Sequence, residues 1–231
     1  MLTQKGGLSF LFTVLLKCFV ATSALADFTM NFNSLPSAQG WAYTGIPGIS
    51  VPESSTFFVY NGALYQDTLY GGGGAYFLSN SVAPLTTPST LSFTVSALQI
   101  SGEGFSIFED DGTRSIYFAF VGTNTIQLST GSGYFYINNN NMEFHNYTIE
   151  NTGTFYQLYI DGSLAALGTY STANPNPDML FIGQGTMPAS AQVVMTAFSY
   201  AEGTATPIPG AIWVFGSGLV GLIGFKRRYL G

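Results

Sequence analysis

The stretch 155-FYQLYIDGSLAALG-168 decides the fold class of this chain. Its central Asp161-Gly162 pair favours a tight two-residue turn, because both residue types tolerate a positive φ angle. Before the turn, Tyr156, Leu158 and Ile160 alternate with the residues between them. Alternation with a period of two places each set on one face of a strand. The stretch therefore predicts a β-hairpin whose first strand turns one face to a core.

Similar runs of β-branched and aromatic residues recur from Asp27 to Ala201, each closed by a turn signal. Asn61-Gly62 is a second two-residue hairpin signal. No helical period and no internal repeat is visible. Short strands with dense turns are typical of a β-sandwich or jelly roll. Strands are predicted over residues 28–32, 56–60, 63–66, 91–98, 105–109, 115–121, 125–128, 134–137, 142–149, 155–160, 180–183 and 192–201.

Part of this pattern resembles the concanavalin A-like lectin and laminin-G family of jelly rolls. In that family a Trp-His-x-Tyr strand precedes a Leu-Tyr-Ile-Asp-Gly hairpin. Residues 142–149 read MEFHNYTI and stand before the hairpin, with Phe144 at the position of the Trp, and LFIG follows at 180–183. The resemblance implies an all-β, concanavalin A-like β-sandwich over residues 27–201. It implies no activity by itself.

The two ends of the chain predict an exported protein. Residues 1–26 combine Lys5, an apolar segment and a final Ala-Leu-Ala, the pattern of a secretory signal peptide cleaved after Ala26. Residues 208–225 carry no charge and would span about 26 Å as a helix, close to the thickness of a bilayer core. A basic cluster follows, which should stay on the cytoplasmic side. We therefore expect a signal helix at the start and a transmembrane helix at the end, joined to the sandwich by a linker over 202–206.

The C-terminal segment 207–231 resembles the PEP-CTERM sorting signals, in the branch that reads Val-Pro-Leu-Pro-Ala before an apolar run. Here the run 213-WVFGSGLVGL-222 matches that pattern, although Thr206 replaces the Val and Gly210 separates the second Pro from the Ala. The resemblance implies removal of the tail at the inner membrane by an exosortase, in a Gram-negative bacterium that makes exopolysaccharide. A permanently tail-anchored envelope protein is the alternative. The implied processing residues are Ala26, Pro207, Pro209, Ala211, Lys226, Arg227 and Arg228.

The charge balance excludes one class of partner. Between the two end segments, Arg114 is the only basic residue against all 12 acidic residues, a net charge of about −11. Such a surface repels phosphate backbones, so we expect no nucleic-acid partner. The only cysteine, Cys18, lies in the signal segment, which excludes a disulfide and a cysteine metal site in the exported part. We expect no cofactor, with a weak calcium contact at residues 109–111 as a minor alternative.

Two places are candidates for chemistry. Glu109-Asp110-Asp111 matches the first half of the Glu-x-Asp-x-x-Glu strand of glycoside hydrolases, but Arg114 stands where the last Glu would be. With Gly112 next to it, the triplet is predicted to be a solvated loop. His145 is the sole histidine, and we expect it to make a hydrogen bond at the end of a strand. No catalytic residue is assigned.

The aromatic residues suggest binding. They can stack on sugar rings, although aromatic side chains in a sandwich also form the core and cross-strand pairs. The sequence therefore predicts a non-enzymatic cell-surface or extracellular protein that binds exopolysaccharide. The alternative is a carbohydrate-active enzyme on the same fold, distinguished by a pair of carboxylates on adjacent strands. The aromatic candidates are Trp41, Tyr43, Tyr60, Tyr65, Tyr70, Tyr134 and Tyr136.

Overall fold

The computed structural model describes residues 27–45, 51–70, 72–79, 82, 84–131, 133–172, 178–185 and 188–203. Two short 3₁₀ helices lie at Pro36–Gln39 and Glu53–Ser55. The strands of this part of the chain are β1 (Phe28–Thr29), β2 (Ala42–Gly45), β3 (Phe57–Tyr60), β4 (Ala63–Asp67), β5 (Gly74–Ser79), β6 (Ser89–Ser101), β7 (Phe105–Asp110), β8 (Ser115–Gly122), β9 (Thr125–Thr130), β10 (Gly133–Asn138), β11 (His145–Asn151), β12 (Tyr156–Ile160), β13 (Ser163–Gly168), β14 (Met179–Gly183) and β15 (Ser190–Glu202).

The strands form two antiparallel sheets. The eight-stranded sheet has the order β13-β12-β11-β6-β15-β4-β3, with β1 also paired to β15. The seven-stranded sheet has the order β10-β9-β8-β7-β14-β5-β2. The predicted all-β sandwich is thus confirmed. The predicted terminal helices, and with them the processing residues at Ala26 and in 207–231, lie outside the described residues. Within the described part of the chain, no helix is long and apolar enough to cross a membrane.

The longest strand pair lies at the centre of the eight-stranded sheet. β6 and β15 have 13 residues each and pair from Ser89 with Glu202 to Ser101 with Ser190. After Ser101 the chain crosses to the other sheet through residues 102–104 and continues as β7. Gly104 lies against the backbone of Ser190 in this connection. The end of the central pair therefore fixes the position of the crossing.

Aromatic rings from the two sheets meet in the core. Phe93 on β6 packs against Phe118 on β8 with ring centroids 5.1 Å apart, and Tyr147 on β11 lies 5.2 Å from Phe118. All three side chains have no exposed surface. Phe118 marks the inward side of β8, and its register partner Ile107 on β7 is also buried. The alternate residues of β7 and β8 therefore lie on the outer face of their sheet.

Both predicted two-residue hairpins are confirmed. Asn61-Gly62 joins β3 to β4 with φ angles of 50° and 73°, and Asp161-Gly162 joins β12 to β13 with φ angles of 51° and 76°. Two positive φ angles match the right-handed twist of the flanking strands. In the second hairpin Tyr156 and Leu158 are fully buried, as the alternation predicts.

The crossing at residues 102–104 provides a test of the packing. A methyl group at Gly104 would collide with the backbone carbonyl of Ser190, which cannot move without disturbing the β6–β15 pair. We expect Gly104→Ala to lower the free energy of unfolding by about 1–3 kcal/mol. Urea unfolding midpoints at unchanged slope measure this change.

Gly133→Ala is the matched control, because nothing lies within 4 Å of a methyl group there. Gly133 is at the start of an edge strand, where Ala is expected to be neutral or stabilising by roughly 0.5–1 kcal/mol. Equal midpoints for the two variants would contradict the described position of the crossing.

Candidate functional site

Four rings form a row on the outer face of the seven-stranded sheet. Phe181 on β14 stacks on Phe108 on β7 with centroids 4.2 Å apart and planes within 10°. Phe108 lies 6.2 Å from Tyr117 on β8, and Tyr117 lies 5.8 Å from Tyr134 on β10. Exposure rises along the row, from 8% at Phe181 to 55% at Tyr134. We call these four residues the aromatic row.

One carboxylate adjoins the aromatic row. Glu103 belongs to the crossing between β6 and β7 and is partly exposed. The hydroxyl of Tyr117 donates to Glu103 Oε2 at 3.1 Å, and Nε2 of Gln127 donates to Glu103 Oε1 at 2.9 Å. A carboxylate has about four acceptor sites, so both oxygens can still accept a hydrogen bond from a ligand or water. Glu103 is therefore held in one orientation beside exposed rings.

The electrostatics keep Tyr117 as a donor. Burial raises the pKa of the Tyr117 hydroxyl, and the negative charge of Glu103 raises it further. Both causes favour the protonated phenol. Tyr117 is thus a hydrogen-bond donor to Glu103 across the ordinary pH range and does not act as a nucleophile there.

Of the aromatic row and Glu103, only Tyr134 is among the residues that the sequence predicts as candidates. Phe108 and Tyr117 alternate with Ile107 and Phe118, so the period of two indicates that they leave the core, but it does not name the sheet they lie on. Glu103 stands between Gly102 and Gly104, which predicts only a loop. Its partners are 14 and 24 residues away in the chain. Strand pairing alone brings them together.

The predicted solvated loop at Glu109–Asp111 is wrong for its first two residues. Glu109 and Asp110 are the last residues of β7 and have 1% and 0% exposure. The turn comes one residue later, where Gly112 has a φ of 79° and donates its N–H to Asp110 Oδ1. The strand therefore continues far enough to place Glu109 between the sheets.

Hydroxyl groups of the opposite sheet surround Glu109. Ser89 on β6 donates to Glu109 Oε1 at 2.6 Å, and Tyr200 on β15 donates to the same oxygen at 3.2 Å. Burial raises the pKa of Glu109 to about 7, with smaller increases from the charges of Glu202 and Asp111, while the two hydroxyl bonds lower it. A buried carboxyl with 1% exposure is closed to a polymer substrate. Glu109 therefore affects the stability of the fold and does not contact a polymer.

Asp111 accepts hydrogen bonds from the segment before β6 and from the turn after β7. Leu85 donates its N–H to Asp111 Oδ2 at 2.7 Å, and the Arg114 guanidinium lies 3.3 Å from the same oxygen. Burial alone would raise the pKa of Asp111, but backbone N–H bonds from Leu85, Arg114 and Thr113, with the Arg114 charge, hold it below its ordinary 3.8. Arg114 also lies 4.8 Å from the centroid of the Tyr170 ring. The three acidic residues 109–111 thus have structural roles.

The predicted strand-end hydrogen bond of His145 is confirmed. Its Nδ1 lies 2.6 Å from Asp161 Oδ2, and its Nε2 lies 3.0 Å from the carbonyl oxygen of Asn140. The bonds from His145 and from the Asn146 N–H hold the pKa of Asp161 below its usual range. His145 therefore joins the start of β11 to the β12–β13 turn.

The seven aromatic candidates fall into two groups. Trp41 is 3% exposed and packs on Phe28 and Phe198 in the core, and Tyr43 packs against Phe57 and Tyr76. The others leave the core: Tyr60 and Tyr65 on the eight-stranded sheet, Tyr134 and Tyr136 on the seven-stranded sheet, and Tyr70 in a loop. Among the described residues, no three His, Cys, Asp or Glu side chains are grouped to hold a metal ion.

Solved structures share this arrangement of sheets. No family model and no curated protein matches the chain. A glycosidic hydrolase matches with a TM-score of 0.55 and 19% identity, over 78% of this chain and 97% of the other. The Bacillus licheniformis β-glucanase matches with a TM-score of 0.51 and 13% identity, over 80% and 100%. An endo-1,3-β-glucanase from Streptomyces sioyaensis matches with a TM-score of 0.52 and 13% identity, over 80% and 99%.

These matches correct the functional prediction. At such low identity they show the fold, a β-sandwich of the glycosidase and concanavalin-like jelly-roll type. The predictions of a non-enzymatic binding protein, and of no enzymatic activity, are wrong in this light, because the structural neighbours are glycoside hydrolases. The neighbours match the predicted alternative, a carbohydrate-active enzyme on the same fold, better than the main prediction.

The environment of Glu109 generates a pH prediction. The pKa of Glu109 is raised from 4.5 to about 7 in the folded state, so its contribution to stability is complete below pH 4.5 and is lost as pH rises through 7. The loss should be on the order of 3 kcal/mol. We expect Glu109→Gln to remove this decline. Free energies of unfolding in urea from pH 4.5 to 8 measure it for both proteins.

Asp111→Asn is the control of opposite sign. Because the pKa of Asp111 is lowered in the folded state, its contribution is present above pH 3.8 and is lost as pH falls. The Asp111→Asn protein should therefore keep the decline between pH 4.5 and 7. An unchanged decline in Glu109→Gln would show that Glu109 is not its source.

Proposed function

We propose that this protein is a carbohydrate-active enzyme that cleaves or transfers glycosidic bonds, with its polysaccharide lying along the outer face of the seven-stranded sheet. The observation that carries the proposal is Glu103, held by Tyr117 of the aromatic row and by Gln127. Sugar rings stack on aromatic faces, while hydroxyl groups need polar partners beside them. The jelly-roll fold of the glycoside hydrolases supports the same class.

Glu103 is the candidate for proton transfer. A carboxylate in hydrogen-bond reach of a bound substrate can take the proton of a water or a sugar hydroxyl as that oxygen bonds to the anomeric carbon. It then gives the proton to the glycosidic oxygen, whose bond to the same carbon breaks. Retaining glycosidases place two carboxyl groups about 5–5.5 Å apart. Asp110, at the other end of β7, is roughly 20 Å away at about 3.3 Å per residue, so it does not pair with Glu103. Tyr117 and Gln127 orient the carboxylate.

Export is the second part of the proposal. The signal pattern ending at Ala26 and the PEP-CTERM-like tail support delivery through the inner membrane, with an exosortase as a transient partner and exopolysaccharide as the nearest polymer. An acidic region with one arginine supports a partner other than nucleic acid. The protein would then act in the cell envelope, at the cell surface or outside the cell.

The activity is tested with soluble β-1,3-glucan, the polymer in the name of the Streptomyces sioyaensis neighbour, and with β-1,3-1,4-glucan, the polymer in the name of a lichenase of similar fold. We expect release of reducing ends by the exported protein. Glu103→Gln should reduce the rate about 10²–10⁴-fold, because general acid–base catalysis contributes that much. A smaller reduction is expected for Tyr117→Phe, which keeps the ring and removes the donor.

Glu150→Gln is the control, because Glu150 lies on β11 in the other sheet. It should retain the full rate. Equal rates for the Glu103→Gln and Glu150→Gln proteins would contradict the assignment of Glu103. No turnover of any polymer by the unaltered protein would contradict the proposed class.

Intact mass of the exported protein tests the processing. We expect an N-terminus at Asp27 and an end near Pro209 to Ala211, because these bonds flank the β-sandwich in the pattern of the two signals. A mass that still includes Lys226–Arg228 would support permanent anchoring by the tail.

A further inference from the structure

Three aromatic side chains lie on the opposite surface of the protein from Glu103. Phe58 and Tyr60 on β3 and Tyr65 on β4 belong to the hairpin that closes at Asn61-Gly62. Phe58 is 48% exposed and Tyr60 is 61% exposed. Their neighbours along the strands, Phe57 and Leu64, are buried and anchor the hairpin to the core. We call Phe58, Tyr60 and Tyr65 the hairpin patch.

The rings of the hairpin patch are already ordered. Phe58 and Tyr65 are directly opposite in the β3–β4 register and stack with centroids 4.8 Å apart and planes within 6°. Tyr60 is tilted by 59° against Tyr65 at 6.5 Å. A rigid set of rings loses little conformational entropy when a ligand binds. Such a set of rings can stack on a ligand that has a flat face.

Polar groups lie one step along the same face. Asp67 follows Tyr65 by two residues on β4, about 6.6 Å away on the same side of the strand. Gln192 on β15 is the register partner of Asp67 and donates its Nε2 to Asp67 Oδ2 at 3.1 Å. Gln99 is opposite Gln192 on β6 and is exposed. An exposed amide and a partly exposed amide–carboxylate pair can hydrogen-bond hydroxyl groups.

The charges decide the kind of ligand. No Lys or Arg lies on the described strands of this sheet, and Arg114 is the only Lys or Arg between Asp27 and Gly203. A polyanion would meet a net charge of about −11 with no cation to bind it. Three rings are also too few for a stable protein interface of about 1,600 Å². An uncharged polymer of hydroxyl-rich rings needs neither a cation nor a large interface, so it fits this surface.

We propose that the hairpin patch is a second binding surface for uncharged polysaccharide, separate from the reaction site and on the other face of the sandwich. The ligand class rests on the proposed function. The surface holds a polymer chain while another part of that chain lies on the aromatic row. Two contacts with one polymer raise the effective concentration of substrate at Glu103, which a short oligosaccharide cannot exploit.

The test uses the whole exported protein with soluble β-1,3-glucan as the probe, read by affinity gel electrophoresis and by release of reducing ends. Phe58→Ala with Tyr60→Ala should weaken polymer binding about tenfold, the usual effect of removing a central interface aromatic. Turnover of a short oligosaccharide should be unchanged. The control is Leu164→Ala with Leu167→Ala, two exposed apolar side chains at the far edge of the same sheet, which should bind as the unaltered protein does.

The outcomes separate the two proposals. Loss of polymer binding in the Phe58/Tyr60 variant, with an unchanged thermal unfolding midpoint and unchanged oligosaccharide turnover, supports the surface. Unchanged polymer binding in that variant overturns it, even if Glu103→Gln abolishes turnover and so supports the reaction site. Self-association of the unaltered protein that the variant abolishes, measured by light scattering, would overturn it as well, because a second copy would then be the occupant.

Discussion

Ring packing between the sheets is the interaction on which the rest of this structure depends. Phe93, Phe118 and Tyr147 meet at centroid distances of 5.1 to 5.3 Å and exclude water from the space between the layers. Such contacts add to the large area that each ring buries. Because this space is filled, a polymer can reach only the outer faces of the sandwich. The carboxyl of Glu109 is buried between the sheets and has no route to a substrate.

The crossing from β6 to β7 links this packing to the candidate site. It passes from one sheet to the other in three residues, with Gly104 against the backbone of Ser190. Glu103 therefore leaves the crossing at a fixed position, beside Tyr117 and Gln127. The carboxylate proposed to react thus lies in a loop and is positioned by strands of the seven-stranded sheet. A spacing of carboxylates along one strand cannot indicate such a site.

Local chemistry made the hairpins and the all-β class predictable. Asn61-Gly62 and Asp161-Gly162 specify their turns through backbone angles that need no information from the rest of the chain. The end of β7 was less predictable, because Gly112 indicates a turn without giving its first residue, and Glu109 was placed in solvent when it lies in the core. The sequence alone does not indicate which residues come together at the candidate site. Alternation indicates that Tyr117 faces outward, but only the pairing of β8 with β7 and β9 brings Glu103 and Gln127 to it.

Polysaccharide is proposed to lie on the outer face of the seven-stranded sheet, against Glu103. A crystal structure of the Glu103→Gln protein soaked with a β-1,3-glucan oligosaccharide tests this position. We expect sugar rings on Tyr117 and Tyr134, with a glycosidic oxygen in hydrogen-bond reach of the side chain at position 103, about 2.6–3.2 Å. An oligosaccharide bound elsewhere, with this face empty, would contradict it.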